Sequence, residues 1–137
     1  MGWIGRSLQG MHWFVGVGAA GGGISALIDP LNPMGISAEE ALAQAPFETF
    51  LIPGLFLFIV LGAGNCIGAL IARSRRDLQG YISILFGIIL VLWIIIQCVM
   101  LRSVVLLHGI FLGIGMLQFL LGWVQVKQAA CSPVSGY

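Results

Sequence analysis

Charged side chains are scarce in this 137-residue sequence. Asp, Glu, Lys and Arg together make up 8% of the chain, against about 25% in a typical globular domain. The formal net charge is only +1, so no strongly basic face is available for nucleic acid. The scarcity of charge argues against a nucleic-acid binder and against a charge-rich disordered chain.

Cysteine and metal-ligand clusters are also lacking. The three cysteines, Cys66, Cys98 and Cys131, form no Cys-x-x-Cys pair, which argues against a disulfide framework and a thiol-redox motif. His12 is expected near the inner face of the membrane and His108 near the outer face, on the order of 20 Å apart by helical rise. One protomer therefore cannot use both histidines on one metal ion. The sequence predicts no metal and no cofactor.

Apolar residues are abundant instead. They form 59% of the chain, and the mean hydropathy is +1.05. A soluble domain of this length keeps a large fraction of its surface wet and could not bury so much apolar area. The solvent must therefore be hydrocarbon, which excludes a cytosolic enzyme.

Four apolar stretches, at about 9–28, 50–72, 79–101 and 104–126, reach the roughly 20 residues needed to cross a bilayer. Each must be helical, because backbone groups cannot go unpaired in lipid. The sequence predicts an all-α polytopic membrane protein, a four-helix transmembrane bundle over residues 1–127. Residues 128–137 are expected to form a flexible tail.

Basic residues set the expected orientation. Arg6, the segment 73–77 and Lys127 lie on one side of a four-span chain and hold five of its six basic residues, while Arg102 lies on the other. The positive-inside rule makes the first side cytoplasmic. We therefore expect a multi-pass protein of the bacterial cytoplasmic membrane with both termini inside.

The loop after the first span carries several boundary signals. Asp29-Pro30 should end that span, because the residue before proline disfavours helix. Ser37 and Glu40 form a capping box, which predicts a short helix over 38–44 at the extracytoplasmic interface. Pro53-Gly54 should bend the start of the second span or loosen its hydrogen bonding.

Small residues at four-residue spacing are candidates for close helix packing. Such pairs occur in the first, second and fourth spans: Gly18 with Gly22, Gly64 with Gly68, and Gly109 with Gly113. Three interpretations stay open at this point. The glycines could pack inside the bundle, form a contact between protomers, or line a ligand path.

Polar residues at membrane depth are costly and therefore informative. The inner third of the membrane is expected to hold His12, Asn65, Ser83 and Gln118. Asn65 and Gln118 lie at the same depth, so a hydrogen bond between their helices is plausible. Gln97 and His108 match in the outer third, near Asp29 and Arg102. In each group, the side chains could simply hydrogen-bond to one another and hold the helices together. The outer four could instead form a pocket for a small ligand.

The chain resembles a group of small bacterial four-span membrane proteins to which no reaction is assigned. The resemblance rests on Asp29-Pro30, on the motif Pro-Phe-x-x-Phe-Leu-Ile-Pro-Gly over 46–54 and on Trp-Ile-x-x-Gln over 93–97. It covers roughly residues 10–125. The resemblance implies the four-span fold and a recurring structural element around the outer loop and Gln97.

Two functions follow as expectations. The first is a non-catalytic integral membrane protein that acts through helix–helix association, with itself or with another membrane protein in a complex. The alternative is a small transporter, or a protein that binds a small molecule or lipid through the outer polar pocket. An enzyme is less favoured, because the sequence presents no readable nucleophile–base pair.

Overall fold

The computed structural model describes residues 2–33, 37–43, 45–46, 48–101 and 106–131. Every regular element in that part of the chain is helical. The long helices are α1 (Trp3–Ile28), α4 (Gly64–Ser74), α5 (Arg76–Leu101) and α6 (Leu106–Cys131), and the short ones are α2 (Ala38–Ala41) and α3 (Leu51–Phe56). A π-helical segment, Leu57–Ala63, joins α3 to α4.

Within the described residues, four helical stretches are long and apolar enough to cross a membrane: Trp3–Ile28, Leu51–Ser74, Arg76–Met100 and His108–Ala130. They match the four expected spans, so the chain is a multi-pass membrane protein with an all-helical fold. The two largest differences from the expected boundaries are in the first and last helices. The first helix begins six residues earlier than position 9, and α6 continues past Lys127 to Cys131.

The loop between the first two spans follows its capping signals. Asp29 ends α1 and accepts a hydrogen bond at Oδ1 from the Asn32 N–H, at 3.1 Å. Ser37 caps α2, its hydroxyl accepting from the Glu40 N–H at 3.5 Å. The helix ends at Ala41, and Gln44, the expected end, lies outside the described residues.

The second span changes hydrogen-bonding pattern along its length. It begins as α3, in which Pro53 occupies the first turn, where its missing N–H is tolerated. Residues Leu57–Ala63 then form the π segment, in which the Gly64 N–H donates a hydrogen bond to the Ile59 carbonyl, five residues back. The altered helical hydrogen bonding that the sequence predicts at Pro53-Gly54 is therefore found about one helical turn later in the span. Such π segments are rare and widen the helix locally.

A glycine seam joins α5 to α6. A Cβ added at Gly87 would stand 2.7 Å from both the Gly115 O and the Phe119 N, and one at Gly122 would stand 2.8 Å from the Gly80 O. These contacts are with backbone atoms, so only glycine permits the approach. Gly80 faces Gly122 and Gly87 faces Gly115, as expected for antiparallel helices that meet every seven residues.

The first two spans make a comparable close contact. A Cβ at Gly23 would lie 2.6 Å from the Phe58 Cβ, and one at Gly62 would lie 3.0 Å from the Ala20 N. Glycine here again allows one backbone to approach another. The two tight helix pairs form the bundle.

The interior of the bundle differs between its two halves. In the half towards the α1 C-terminus, the core is an apolar cluster of Val15, Ala19, Leu61, Leu90, Trp93 and Ile94. In the half towards the α1 N-terminus, the fully buried side chains include polar ones: His12, Asn65, Gln79, Ser83 and Gln118. We call these the apolar half and the polar half.

Candidate functional site in the polar half

Each of the four spans contributes one polar side chain to a single buried cluster. The members are His12 from α1, Asn65 from α4, Ser83 from α5 and Gln118 from α6, and each has 0% exposure. His12 lies at the centre, with Asn65 Oδ1 2.8 Å from its Nδ1 and Ser83 Oγ 3.1 Å from its Nε2. We call this group the four-span cluster.

The hydrogen bonds fix the protonation pattern of the cluster. Asn65 Nδ2 donates to the Leu61 carbonyl at 2.9 Å, which turns the amide oxygen of Asn65 towards His12. An amide oxygen can only accept, so Nδ1 of His12 must carry a hydrogen and donate. In the neutral ring Nε2 then has the lone pair, and the Ser83 hydroxyl donates to it.

Gln118 is the least well satisfied member of the cluster. Its Nε2 lies 3.4 Å from His12 Nδ1 and 3.5 Å from Asn65 Oδ1. Because Nδ1 carries a hydrogen, the first contact joins two donors, and Gln118 donates only to Asn65 over a long distance. Its Oε1 is buried without a partner. The expected pair Asn65–Gln118 is thus within reach, but the bond is weak.

A second polar layer lies beside the cluster towards the α1 N-terminus. Gln79 Nε2 donates to the Gly5 carbonyl at 3.0 Å, and Gln125 Nε2 donates to Gln79 Oε1 at 2.8 Å. Gln9 Nε2 donates to the Ala69 carbonyl at 2.9 Å. We call these three glutamines the amide layer. The amide layer and the four-span cluster together form a polar column.

The cluster includes the order serine, histidine, asparagine that acyl-transfer enzymes use for a nucleophile, a base and an orienting group. Two features argue against that chemistry. Ser83 has 0% exposure, and the Gln118 amide lies by Nδ1, on the other side of the ring from Ser83. The Gln118 amide is therefore not placed to stabilise an oxyanion beside Ser83.

The residues expected to form an outer pocket are only partly described. Gln97 on α5 and His108 on α6 are both half-buried, and Asp29 is exposed at the end of α1. Arg102 lies outside the described residues. The polar side chains that form the extended network lie at the opposite end of the bundle. Among the residues that the structure describes, no three His, Cys, Asp or Glu side chains form a possible metal site.

The glycine pairs expected to pack helices differ in their surroundings. A Cβ would stand 3.4 Å from Phe111 at Gly18, 3.1 Å from Leu57 at Gly22, 2.9 Å from Phe86 at Gly64 and 3.1 Å from Ile82 at Gly68. At these four glycines an added Cβ would contact a side chain of another part of the chain, although Gly18 itself is exposed. At Gly109 and Gly113, no atom of the described chain comes within 4 Å of that position.

Two features were not anticipated from the sequence. His12 and Ser83 were placed at the right depth but were not joined to Asn65 and Gln118. The four-residue spacing does not identify the seam glycines, because they repeat at seven residues. A search for glycines repeating at seven on two successive spans would have found 80/87 and 115/122.

No protein-family model, curated protein or solved structure matches this chain.

Proposed function

We propose that this protein is a non-catalytic membrane protein that acts through helix–helix association on the outer face of α6. The observation that carries the proposal is the open surface at Gly109 and Gly113. Helices in lipid associate where small residues let their backbones approach closely. At each glycine of the other expected pairs an added Cβ would contact a side chain of the same protomer, whereas Gly109 and Gly113 have no such contact among the described residues.

The fourth span supports this role by its position. Only 17% of its most apolar window is buried inside the bundle, against 28–33% for the other three spans. Met116, Leu117 and Leu120 continue the exposed face by one and two turns beyond Gly113. Beside that face, a groove of about 400 Å³ runs along the junction of α5 and α6, with Gly87, Val91, Met116 and Leu120 in its walls. Glycines that allow close approach lie next to a groove that can receive side chains.

A second copy of the chain is the partner that fits this face most directly. A twofold axis would bring the same patch of both copies together, so that each Gly109/Gly113 pair faces another small-residue pair. A different membrane protein with a small-residue helix would use the same contact. We therefore expect a homodimer through α6. A complex with a different membrane protein would instead show that the other protein, and not a second copy of the chain, is the partner.

We expect Gly113→Leu to weaken or abolish the oligomer while leaving the protomer folded. The leucine side chain keeps the two backbones apart, yet its Cβ has open space in the described protomer. Native mass spectrometry from lipid nanodiscs would measure the oligomer, and thermal unfolding would measure the fold.

The matched control is Gly10→Leu, since Gly10 also has open space around it but has Arg6 and Phe14 at four-residue spacing. That variant should keep the wild-type mass. If Gly109→Leu and Gly113→Leu both keep the wild-type mass as well, α6 faces lipid and the proposal is wrong.

We further propose that the protein lies in the bacterial cytoplasmic membrane with both termini in the cytoplasm. Arg6, Arg73, Arg75, Arg76 and Lys127 support this orientation by the positive-inside rule. Exposed aromatic rings lie at the same end of the bundle: Trp3, Tyr81 and Trp123. Aromatic rings of this kind are typical of a membrane interface.

Cysteine labelling in intact cells tests this orientation. After replacement of the native cysteines by serine, we expect Ser74→Cys to react with an impermeant maleimide only in permeabilised cells. Asn32→Cys, at the other end of the bundle, should react from outside. Labelling of Ser74→Cys in intact cells would reverse the orientation.

A further inference from the structure

The polar column contains two buried acceptors with no partner, and both belong to α6. Gln118 Oε1 and Gln125 Oε1 are each covered and unpaired. They lie seven residues apart, so they face the same side of α6, separated by about 10 Å of helical rise. A buried acceptor without a hydrogen bond costs about 1–3 kcal/mol.

Rotating the Gln125 amide does not remove its unpaired oxygen. Gln79 donates to the Gly5 carbonyl and thereby turns its own oxygen to Gln125, so Gln125 must present its Nε2 to Gln79. The oxygen of Gln125 is then the atom left over. It requires a hydrogen-bond donor from outside the described chain.

Rotating the Gln118 amide only exchanges one unpaired atom for another. Turned over, its oxygen would accept from His12 Nδ1 but would face the oxygen of Asn65, and its NH₂ group would be left unpaired. The site at Gln118 therefore needs a donor in one orientation and an acceptor in the other. Water satisfies both, whereas an ammonium ion can only donate and a simple anion can only accept.

We infer that the polar column binds water beside Gln118 and beside Gln125, and the water at Gln118 then lies next to His12. This inference is independent of association through α6. Buried waters are typically held by two to four polar partners, and the column supplies amide, hydroxyl and imidazole groups on all four spans. The polar column ends at the apolar half, where Val15, Leu61 and Leu90 fill the core.

Trp93 provides an internal comparison. Its Nε1 is also buried and unpaired, but the ring lies in the apolar cluster and stacks on Phe56 at 4.6 Å between centroids. An unpaired donor with only apolar neighbours does not hold water. Of these three unpaired polar atoms, the two glutamine oxygens are therefore expected to be hydrated and the Trp93 Nε1 to be dry.

Water-to-protein magnetisation transfer in solid-state NMR tests the inference on the full-length protein in lipid bilayers. We expect transfer from water to the side-chain amides of Gln118 and Gln125 and to the His12 ring, and none to the Trp93 indole. No transfer at the two glutamines, while exposed Arg75 gives it, would overturn the inference. Equal transfer at Trp93 would also overturn it, because water would then pervade the core.

Two variants locate the water and identify the occupant. Gln118→Met keeps a similar length without polar amide atoms, and should abolish the transfer to His12 while Gln125 keeps its signal. If this variant does not fold, Gln125→Met should remove only the transfer at position 125. A small molecule retained by the wild-type protein in native mass spectrometry, and lost in Gln118→Met, would replace water as the occupant and refute the inference.

Discussion

Replacing Gly87 by leucine is expected to prevent the third and fourth spans from packing, with little folded protein recovered. Even the smaller change Gly87→Ala places a Cβ 2.7 Å from two backbone atoms of α6, the Gly115 O and the Phe119 N. Backbone atoms cannot rotate away as a flexible side chain can, so the helices must separate. We expect Gly87→Ala to lower the free energy of unfolding by about 1–3 kcal/mol, measured by denaturation in detergent micelles.

The sign of this effect is informative because helix propensity favours the opposite result. Alanine stabilises a helix interior by about 1 kcal/mol relative to glycine. Gly21→Ala is the matched control, since Gly21 also lies within a span but has open space around it. We expect that variant to be as stable as the wild type or more so. Equal effects at positions 87 and 21 would show that the seam is not a backbone contact.

The four spans were predictable because the length of an apolar stretch decides whether it can cross the membrane. Apolar stretches of about 20 residues must be helical in hydrocarbon, and the structure confirms four such helices. Local signals at the ends of the spans were also readable. Asp29 ends α1 and Ser37 caps α2, because these side chains act on backbone groups within a few residues.

The rotation of each helix about its axis was not predictable. In a soluble helix the apolar stripe marks the buried face, but in these spans the lipid-facing surface is as apolar as the core. Among 20 glycines, nothing local separates Gly87, which lies in the seam, from Gly113, which has open space around it. Four-residue spacing therefore predicts helix packing at Gly109 and Gly113, whereas the glycines in the closest contact between α5 and α6 are spaced seven residues apart.

The polar half illustrates the same limit. Counting residues along each span gave the depth of Asn65 and Gln118, and it placed His12 and Ser83 in the same third of the membrane. Depth alone does not show whether four side chains point to a common centre. That convergence depends on the packing of α1 against the second span and of α5 against α6, which is set by glycine contacts between residues distant in sequence.

Removing His12 is expected to uncouple the four spans at that centre. His12→Leu keeps a side chain of comparable bulk but leaves Asn65 Oδ1 without its 2.8 Å donor and Ser83 Oγ without its 3.1 Å partner. Hydrogen bonds between membrane helices are worth about 0.6 kcal/mol on average and at most about 1.7 kcal/mol. With two such bonds lost, we expect the free energy of unfolding in bilayer-like micelles to fall by about 1–3 kcal/mol.

A double-mutant cycle shows whether the loss arises from the network or from packing. Once His12 is leucine, Asn65 has already lost its main partner outside its own helix, so Asn65→Leu should cost less than it does in the wild type. We expect a coupling energy of about 0.6–1.7 kcal/mol between the two positions. The comparison cycle combines His12→Leu with Trp93→Phe in the apolar half, where the changes should be additive to within about 0.5 kcal/mol. If the His12–Asn65 cycle is equally additive, the cluster is a set of neighbours without mutual stabilisation. Hydrogen bonding would then not hold the four spans together, and the glycine contacts alone would have to account for the bundle.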